Sequence, residues 1–287
     1  MANESGTLEM ASVLLGEWQG RSDTQSFWAG GGTPRLDYEL LARLLALSVG
    51  NADTTRSGLF AKCLDLWTSW EFAQAGFAGD AVWPRPEEPR AIDPEVLLAA
   101  LSLPRRHAEA GVRMIAGAGR SDVSVMGSVY EKQVDVGMAT WPSGPELLVS
   151  TKTMGGSFGK NTANRFEEAY GDAKNLRERH PMAAHGFLYL VRSTVVAEGG
   201  AYQKIVHMLR SLARSGEIYD AVGLIVAEWD EGDADSVAVP TSEEAGIPKE
   251  LSAEHFFETL IDIVLDNSPL SRHGMAREMR EAYQSDA

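Results

Sequence analysis

Cysteine is nearly missing from this chain. Cys63 is the single one among 287 residues, which excludes an intramolecular disulfide framework and any multi-cysteine zinc site. It stands in the apolar run Leu59-Phe60-Ala61-Lys62-Cys63-Leu64, where a buried small hydrophobe is expected rather than a nucleophile. No stretch approaches 18 uninterrupted apolar residues, so no membrane span is expected. Met1 to Met10 is acidic and lacks the basic and apolar regions of a signal peptide. These absences lead us to expect a soluble, cytoplasmic protein. Positive charge is scarce too: 26 Lys and Arg face 41 Asp and Glu, a net charge of −15 and a pI near 4.8. A uniformly basic surface that grips nucleic acid without specificity is thereby excluded.

Several catalytic signatures are absent as well. The segment Gly155-Gly156-Ser157-Phe158-Gly159-Lys160-Asn161 fails the Walker A pattern at both ends, with Met154 and Asn161 in place of Gly and Ser or Thr. His180 and His185 flank Pro181 without the HExxH spacing, and no Gly-x-Ser-x-Gly elbow occurs. Asp230 to Asp235 is too irregular for an EF-hand, whose closing Glu would fall on Thr241.

What is present is enough for a sizeable core. A chain of this length folds as one large domain or two modest ones, and 44% hydrophobic residues is an ordinary globular share. Residues 1–30 are polar and Gly-rich, so a loose start is expected. Helical spacing runs through Leu36–Leu47 and Phe60–Phe77, with Trp67, Trp70 and Phe72 as core candidates. Ala78–Pro94 holds four prolines and reads as a linker, and Asp93-Pro94 opens a helix expected from Glu95 to Ile115.

The texture then turns extended. Val123–Val136 reads as strand, Met138–Gly144 as turn, and Leu147–Lys152 as strand. A glycine loop precedes a helix over Asn161–Arg179, with Phe166, Ala169, Tyr170, Ala173 and Leu176 on its apolar face and Asn161 or Thr162 as its cap. Strand Gly186–Val196, helix Tyr202–Ser215 and strand Tyr219–Trp229 follow. Beyond them come an acidic loop over Asp230–Gly246 and helices over Ala253–Leu265 and from Arg277. This order describes an α/β protein. We divide it into a helical N-terminal region (1–92), a core (93–235) and a C-terminal helical segment packed on the core (236–287).

Charge is unevenly distributed among these parts. Residues 1–100 carry −7 and residues 181–287 carry −10, whereas residues 101–180 carry +2. The slightly basic third contains Arg105, Arg106, Arg113, Arg120, Lys152, Lys160, Arg165, Lys174, Arg177 and Arg179. It also contains Asp135 at the end of one expected strand and Lys152 at the end of the next. An Asp and a Lys brought together in this way form half of a site for metal-dependent phosphodiester hydrolysis. The carboxylate would bind a hard cation. The ammonium would orient a water and offset developing negative charge.

Asp135, Ser150-Thr151-Lys152 and the helix from Asn161 resemble the PD-(D/E)XK nuclease superfamily, the fold of many restriction endonucleases, over about residues 95–235. Val134 stands where the motif has proline, and Ser150 where it has its second acid. A subgroup of restriction endonucleases is similar in having Ser-x-Lys with the acid moved to the following helix, where this chain has Glu167 and Glu168. We favour Glu168, because Asp172 one turn on extends its polar side; Glu146, at the start of the strand, is a weaker candidate.

The resemblance implies a restriction-endonuclease-like core of a mixed sheet flanked by helices. It implies Mg²⁺ held by Asp135, Glu168 or Glu167, and the Thr151 carbonyl, with Lys152 positioning the water and Ser150 marking the vacated acid position. Glu109 would be an auxiliary acid. Lys160, Asn161, Asn164 and Arg165, at a helix start suited to phosphate, would contact DNA. The expected activity is a type II restriction enzyme that cuts double-stranded DNA as a homodimer. The alternatives are a nuclease subunit of a larger defence or repair complex, and a catalytically inactive DNA-binding or scaffold protein on the same fold.

Overall fold

A computed structural model describes residues 2–18, 26–50, 58–79, 81–86, 123–140, 143–214 and 218–284. The helix expected over Glu95–Ile115, and Glu109 on it, lie outside the described residues. The fold is α/β, built on a mixed six-stranded sheet flanked by helices. Three N-terminal helices come first: α1 (Ala2–Glu17), α2 (Tyr38–Val49) and α3 (Leu59–Gln74). Residues expected to be loose therefore form α1, which buries Ala11 and Leu15 against the main core.

The strands are β1 (Val82–Trp83), β2 (Val123–Met126), β3 (Glu131–Val134), β4 (Val136–Thr140) and β5 (Gly144–Met154). After α4 (Phe158–Arg179) come β6 (Ala184–Arg192), a 3₁₀ turn over Ser193–Val196, α5 (Ala201–Ala213), β7 (Ala221–Asp230) and β8 (Asp233–Ala238). Helices α6 (Ala253–Asn267) and α7 (Gly274–Gln284) close the described chain. The sheet order is β1-β4-β5-β6-β7-β8, while β2 and β3 pair only with each other. Strands β5, β6 and β7 run parallel, joined by α4 and α5 as crossovers; β1–β4, β4–β5 and β7–β8 are antiparallel.

Several local expectations are corrected here. Val82 and Trp83, inside the expected linker, pair with Met138 and Gly137. Met138–Thr140 is strand rather than turn, because a register shift after Met138 lets Thr140 reach Gly144. The acidic loop after Asp230 contains β8, whose acids Asp233 and Asp235 face solvent while Val237 packs on the core. A charged edge of this kind discourages pairing with another chain. The strand expected to reach Val196 stops at Arg192. Helix α4 begins at Phe158 with Ser157 at the cap position, so neither Asn161 nor Thr162 caps it.

Side-chain alternation along the parallel strands separates two layers. Phe187, Tyr189 and Val191 face α4 and α5. Leu188 and Leu190 face a larger core shared by α1, α2, α3 and α6. On α6, Phe256, Phe257, Leu260, Ile261 and Val264 are buried at helical spacing. Each such side chain contributes roughly 1.5–3 kcal/mol. The close approach of α6 needs Gly186 and Gly223. A Cβ on Gly186 would fall 2.6 Å from Leu260 Cδ1, and one on Gly223 would fall 3.1 Å from the Phe256 Cβ.

Polar ties fasten the helices. Asp37 caps α2 by accepting from Leu40 N and also accepts from the Trp18 indole, while its own N–H donates to the fully buried Glu71. Arg280 on α7 donates to Asp262 and Glu258 of α6 and to the Gly32 carbonyl, with its guanidinium 4.2 Å from the Trp28 ring centroid. Among the described residues no helix is long and apolar enough to cross a membrane.

Candidate active site

The site forms where β4 and β5 separate at one end of the sheet. Ser150 and Thr151 are buried β5 residues, and alternation sends them to opposite faces. Ser150, Lys152 and Met154 share the α4 face; Leu147, Val149 and Thr151 share the α3 face. Asp135 is the single residue between β3 and β4, so it joins the small hairpin sheet to the large one. The β4–β5 register pairs Val136 with Val149. Its continuation would set Val134 opposite Thr151, but Val134 has turned away to pair with Val123. The Asp135 carboxylate fills that gap: Oδ2 accepts the Thr151 N–H at 2.9 Å. The same oxygen lies 3.7 Å from Lys152 Nζ, with 21% of each side chain exposed. The expected meeting of Asp135 and Lys152 therefore exists in the fold.

Helix α4 crosses the same face. Glu167 and Glu168 are both exposed. Glu168 is bound by Arg165 at 2.9 Å. Burial pushes the Glu168 carboxyl upward, but the Arg165 hydrogen bond and the cations Lys152, Arg165 and Lys132 outweigh it, holding the group below the usual carboxylate range. Glu168 thus lies in the electrostatic field of Lys152. Asp172 is buried one turn on, paired with Lys132 at 2.5 Å and accepting from the Tyr130 hydroxyl. Beneath them, Tyr219 donates to the Ala169 carbonyl at 3.0 Å and lies beside Ser150. Burial above all, with the nearby carboxylates of Asp172, Asp135 and Glu168, pushes this phenol far up, so it stays neutral.

The β2–β3 hairpin is mounted on α4 through Asn175. The Asn175 Oδ1 accepts from Val129 N at 2.8 Å and Tyr130 N at 3.2 Å, and Nδ2 donates to the Tyr130 carbonyl at 2.9 Å. Its backbone carbonyl accepts from Ser128 N. Gly127 permits this contact, since a Cβ there would fall 2.1 Å from Asn175 Nδ2. Tyr170, placed by periodicity on the apolar face, is 47% exposed, while Ala169, Ala173 and Leu176 of the same expected face are buried.

The structure brings Asp135, Ser150, Thr151 and Lys152 together, with Glu168 beside them. Glu146 is elsewhere: it begins β5 and is bonded to Arg272 and His273. Of the residues expected to contact DNA, Asn164 is exposed and Arg165 is engaged with Glu168. The side chains of Lys160 and Asn161 lie outside the described residues. Sequence reasoning missed Tyr219, Asn175, Lys132 and the buried Asp65 on α3, whose carboxylate accepts from the Thr151 hydroxyl. An acid between Leu64 and Leu66 in an apolar helix was the available signal for Asp65. Nothing local marked the other three.

Among the described residues no group of three or more His, Cys, Asp and Glu side chains could by itself hold a metal ion. The oxygen donors at the site are the Asp135 and Glu168 carboxylates and the Thr151 carbonyl, a set suited to a hard cation. A cation held by such donors, with the Lys152 ammonium beside it, could bind a phosphate ester and polarise a water. No family model matches this chain, and no curated protein or solved structure does either.

Proposed function

We propose that this protein is a Mg²⁺-dependent endonuclease that hydrolyses phosphodiester bonds in double-stranded DNA, in the manner of a type II restriction enzyme. The observation that carries the reading is the approach of Asp135 and Lys152 to 3.7 Å across strands β4 and β5. A carboxylate at the start of β4 and an ammonium on β5, backed by Ser-x-Lys and a helix acid, are the parts the reaction needs. In this reading the restriction-endonuclease-like core spans the sheet and the flanking helices, and two copies act together to cut both strands.

Each residue then has a physical task. Asp135 and Glu168, with the Thr151 carbonyl, would hold the divalent cation; Glu167, one residue back, is the alternative acid. When bound, that ion would supply a water of lowered pKa and neutralise charge on the phosphate oxygens. Lys152 places a positive charge where negative charge develops and orients the water through its N–H groups. The Thr151 N–H fixes the Asp135 carboxylate, so that it does not swing freely between rotamers. Ser150 leaves the vacated acid position neutral. Asn164 and Arg165, with Lys160 and Asn161, would meet the DNA backbone at the start of α4.

A catalytically inactive DNA-binding protein is the second reading. It is favoured by the hold of Arg165 on Glu168, which occupies the acid the reaction requires. Incubation with plasmid and phage DNA, in Mg²⁺ and in EDTA, separates the two. Discrete Mg²⁺-dependent fragments support the restriction enzyme. Retarded but uncut DNA supports the binding protein. Cutting that survives Lys152→Ala rejects the assigned site.

A further inference from the structure

Asp65 is hard to explain as packing. It is 9% exposed and sits between Leu64 and Leu66 on α3, two residues from the fully buried Trp67, beside the main apolar core. A carboxylate in such a place costs several kcal/mol unless its lone pairs are used. A leucine there would extend the apolar helix without that cost. The carboxylate instead reaches across to the sheet, where its Oδ1 accepts the Thr151 hydroxyl in a short, charge-assisted bond.

The partner is what gives the contact its meaning. Thr151 is the residue whose N–H holds the Asp135 carboxylate at 2.9 Å. Its side chain faces α3, while those of Ser150 and Lys152 face α4. Asp65 therefore grips the strand from the side of the sheet opposite the candidate site. An acid here anchors Thr151, the residue that bonds Asp135 and precedes Lys152.

We propose that Asp65 is a positioning residue: through the Thr151 hydroxyl it fixes the Thr151 peptide, and through that peptide the Asp135 carboxylate. The proposal rests on the nuclease reading for its catalytic consequence, but the mechanical linkage stands on geometry alone. Asp65→Asn keeps an acceptor oxygen at the same place; Asp65→Leu removes it; Thr151→Val removes the donor at nearly constant volume.

The test uses the full chain and two readouts. Plasmid cleavage is measured as kcat, KM for DNA and the Mg²⁺ concentration for half-maximal rate. Amide exchange is followed at Thr151, with Leu209 on α5 and Ile225 on β7 as reference positions outside the β5 ladder. Loss of an outer partner of a metal site typically costs about 10–100-fold. Asp65→Leu and Thr151→Val should each lower kcat by about that much and raise the Mg²⁺ requirement, with KM for DNA unchanged. Asp65→Asn should stay within about threefold of wild type. Exchange at Thr151 should quicken in the first two variants and not at the reference positions. If Asp65→Leu fails to fold, Thr151→Val carries the test alone. Wild-type kinetics in Thr151→Val would overturn the proposal and leave the nuclease reading intact. A wild-type chain that cuts no DNA would sink the nuclease reading. In that case unchanged Thr151 exchange would overturn the linkage too, and quickened exchange would support it.

Discussion

The Asp135 carboxylate and the Lys152 ammonium meet at 3.7 Å because Asp135 fills the place that β4 vacates opposite Thr151. The pair is partly solvated, so its attraction contributes at most about 1 kcal/mol to stability. Its value lies in what it can do to a phosphate. Lys152→Ala should lower the cleavage rate about 100-fold or more while the melting temperature moves by only a few degrees. Plasmid linearisation beside a thermal melt checks both halves.

Glu168 and Glu167 should separate cleanly. Glu168 is electrostatically coupled to Lys152 and Lys132 and stays ionised below the usual carboxylate range. Glu168→Gln should therefore cut activity about 100-fold, and Glu167→Gln should leave it within a few-fold. The reverse order would transfer the role to Glu167. Because the Glu168 carboxyl is held low, an acid limb in the pH–rate profile near pH 5 would have to come from another group.

A buried histidine makes stability depend on pH. His185 is 1% exposed, and its Nε2 is bonded to the His180 carbonyl. Burial pushes its pKa down to about 4, with Arg177 adding to the effect and the His180 carbonyl and Asp220 opposing it. The folded state thus disfavours the charged ring. The stability that His185 contributes is whole above its ordinary pKa near 6.5 and drains away as pH falls toward 4. The loss approaches roughly 3 kcal/mol. Urea unfolding from pH 7 to pH 4 should show this slope in wild type and a shallower one in His185→Gln.

Removing the Asn175 amide should loosen the hairpin. Asn175→Ala strips the acceptor from Val129 N and Tyr130 N and the donor from the Tyr130 carbonyl. Unmet partly buried groups cost about 1–3 kcal/mol. Hydrogen exchange should rise across residues 123–134 while β6 and β7 stay protected. Gly127→Ala should act in the same direction, since its Cβ would collide with the Asn175 side chain.

Packing of α6 on the sheet gives a simpler prediction. In Gly186→Ala the new methyl would meet Leu260 and Phe256 at 2.6 and 2.9 Å. Overpacking of this kind costs about 1–3 kcal/mol, read as a lower urea midpoint with an unchanged m-value.

Much of this architecture was legible because it is local. The helical spacing in Leu36–Leu47 and the apolar runs of β6 and β7 report burial directly, and the α/β order follows from them. Asp135 and Lys152 could be paired by supposing adjacent strands, and the β4–β5 hairpin satisfies that condition. What stayed hidden depends on distant partners. Val82-Trp83 became a strand only because β4 was there to pair with it. Tyr219 and Asn175 acquire meaning only once α4 is laid on the sheet. Periodicity misplaced Tyr170, which is exposed at the margin of the stripe that buries Ala169, Ala173 and Leu176. For β8, acidic composition outweighed a weak alternation that the core nevertheless uses.

The Arg280 contacts have a practical consequence for anyone cutting the gene. One guanidinium ties α7 to α6 and to the Gly32 carbonyl, 248 positions earlier. Residues near both ends of the described chain are thus stitched together, and the larger core draws side chains from α1, α2, α3, α6 and α7. Trimming either side would uncover apolar side chains of that core, Ala11 and Leu15 at one end and Ala276 at the other being part of it. The smallest stretch of this chain that keeps its sheet dry is nearly the whole of it.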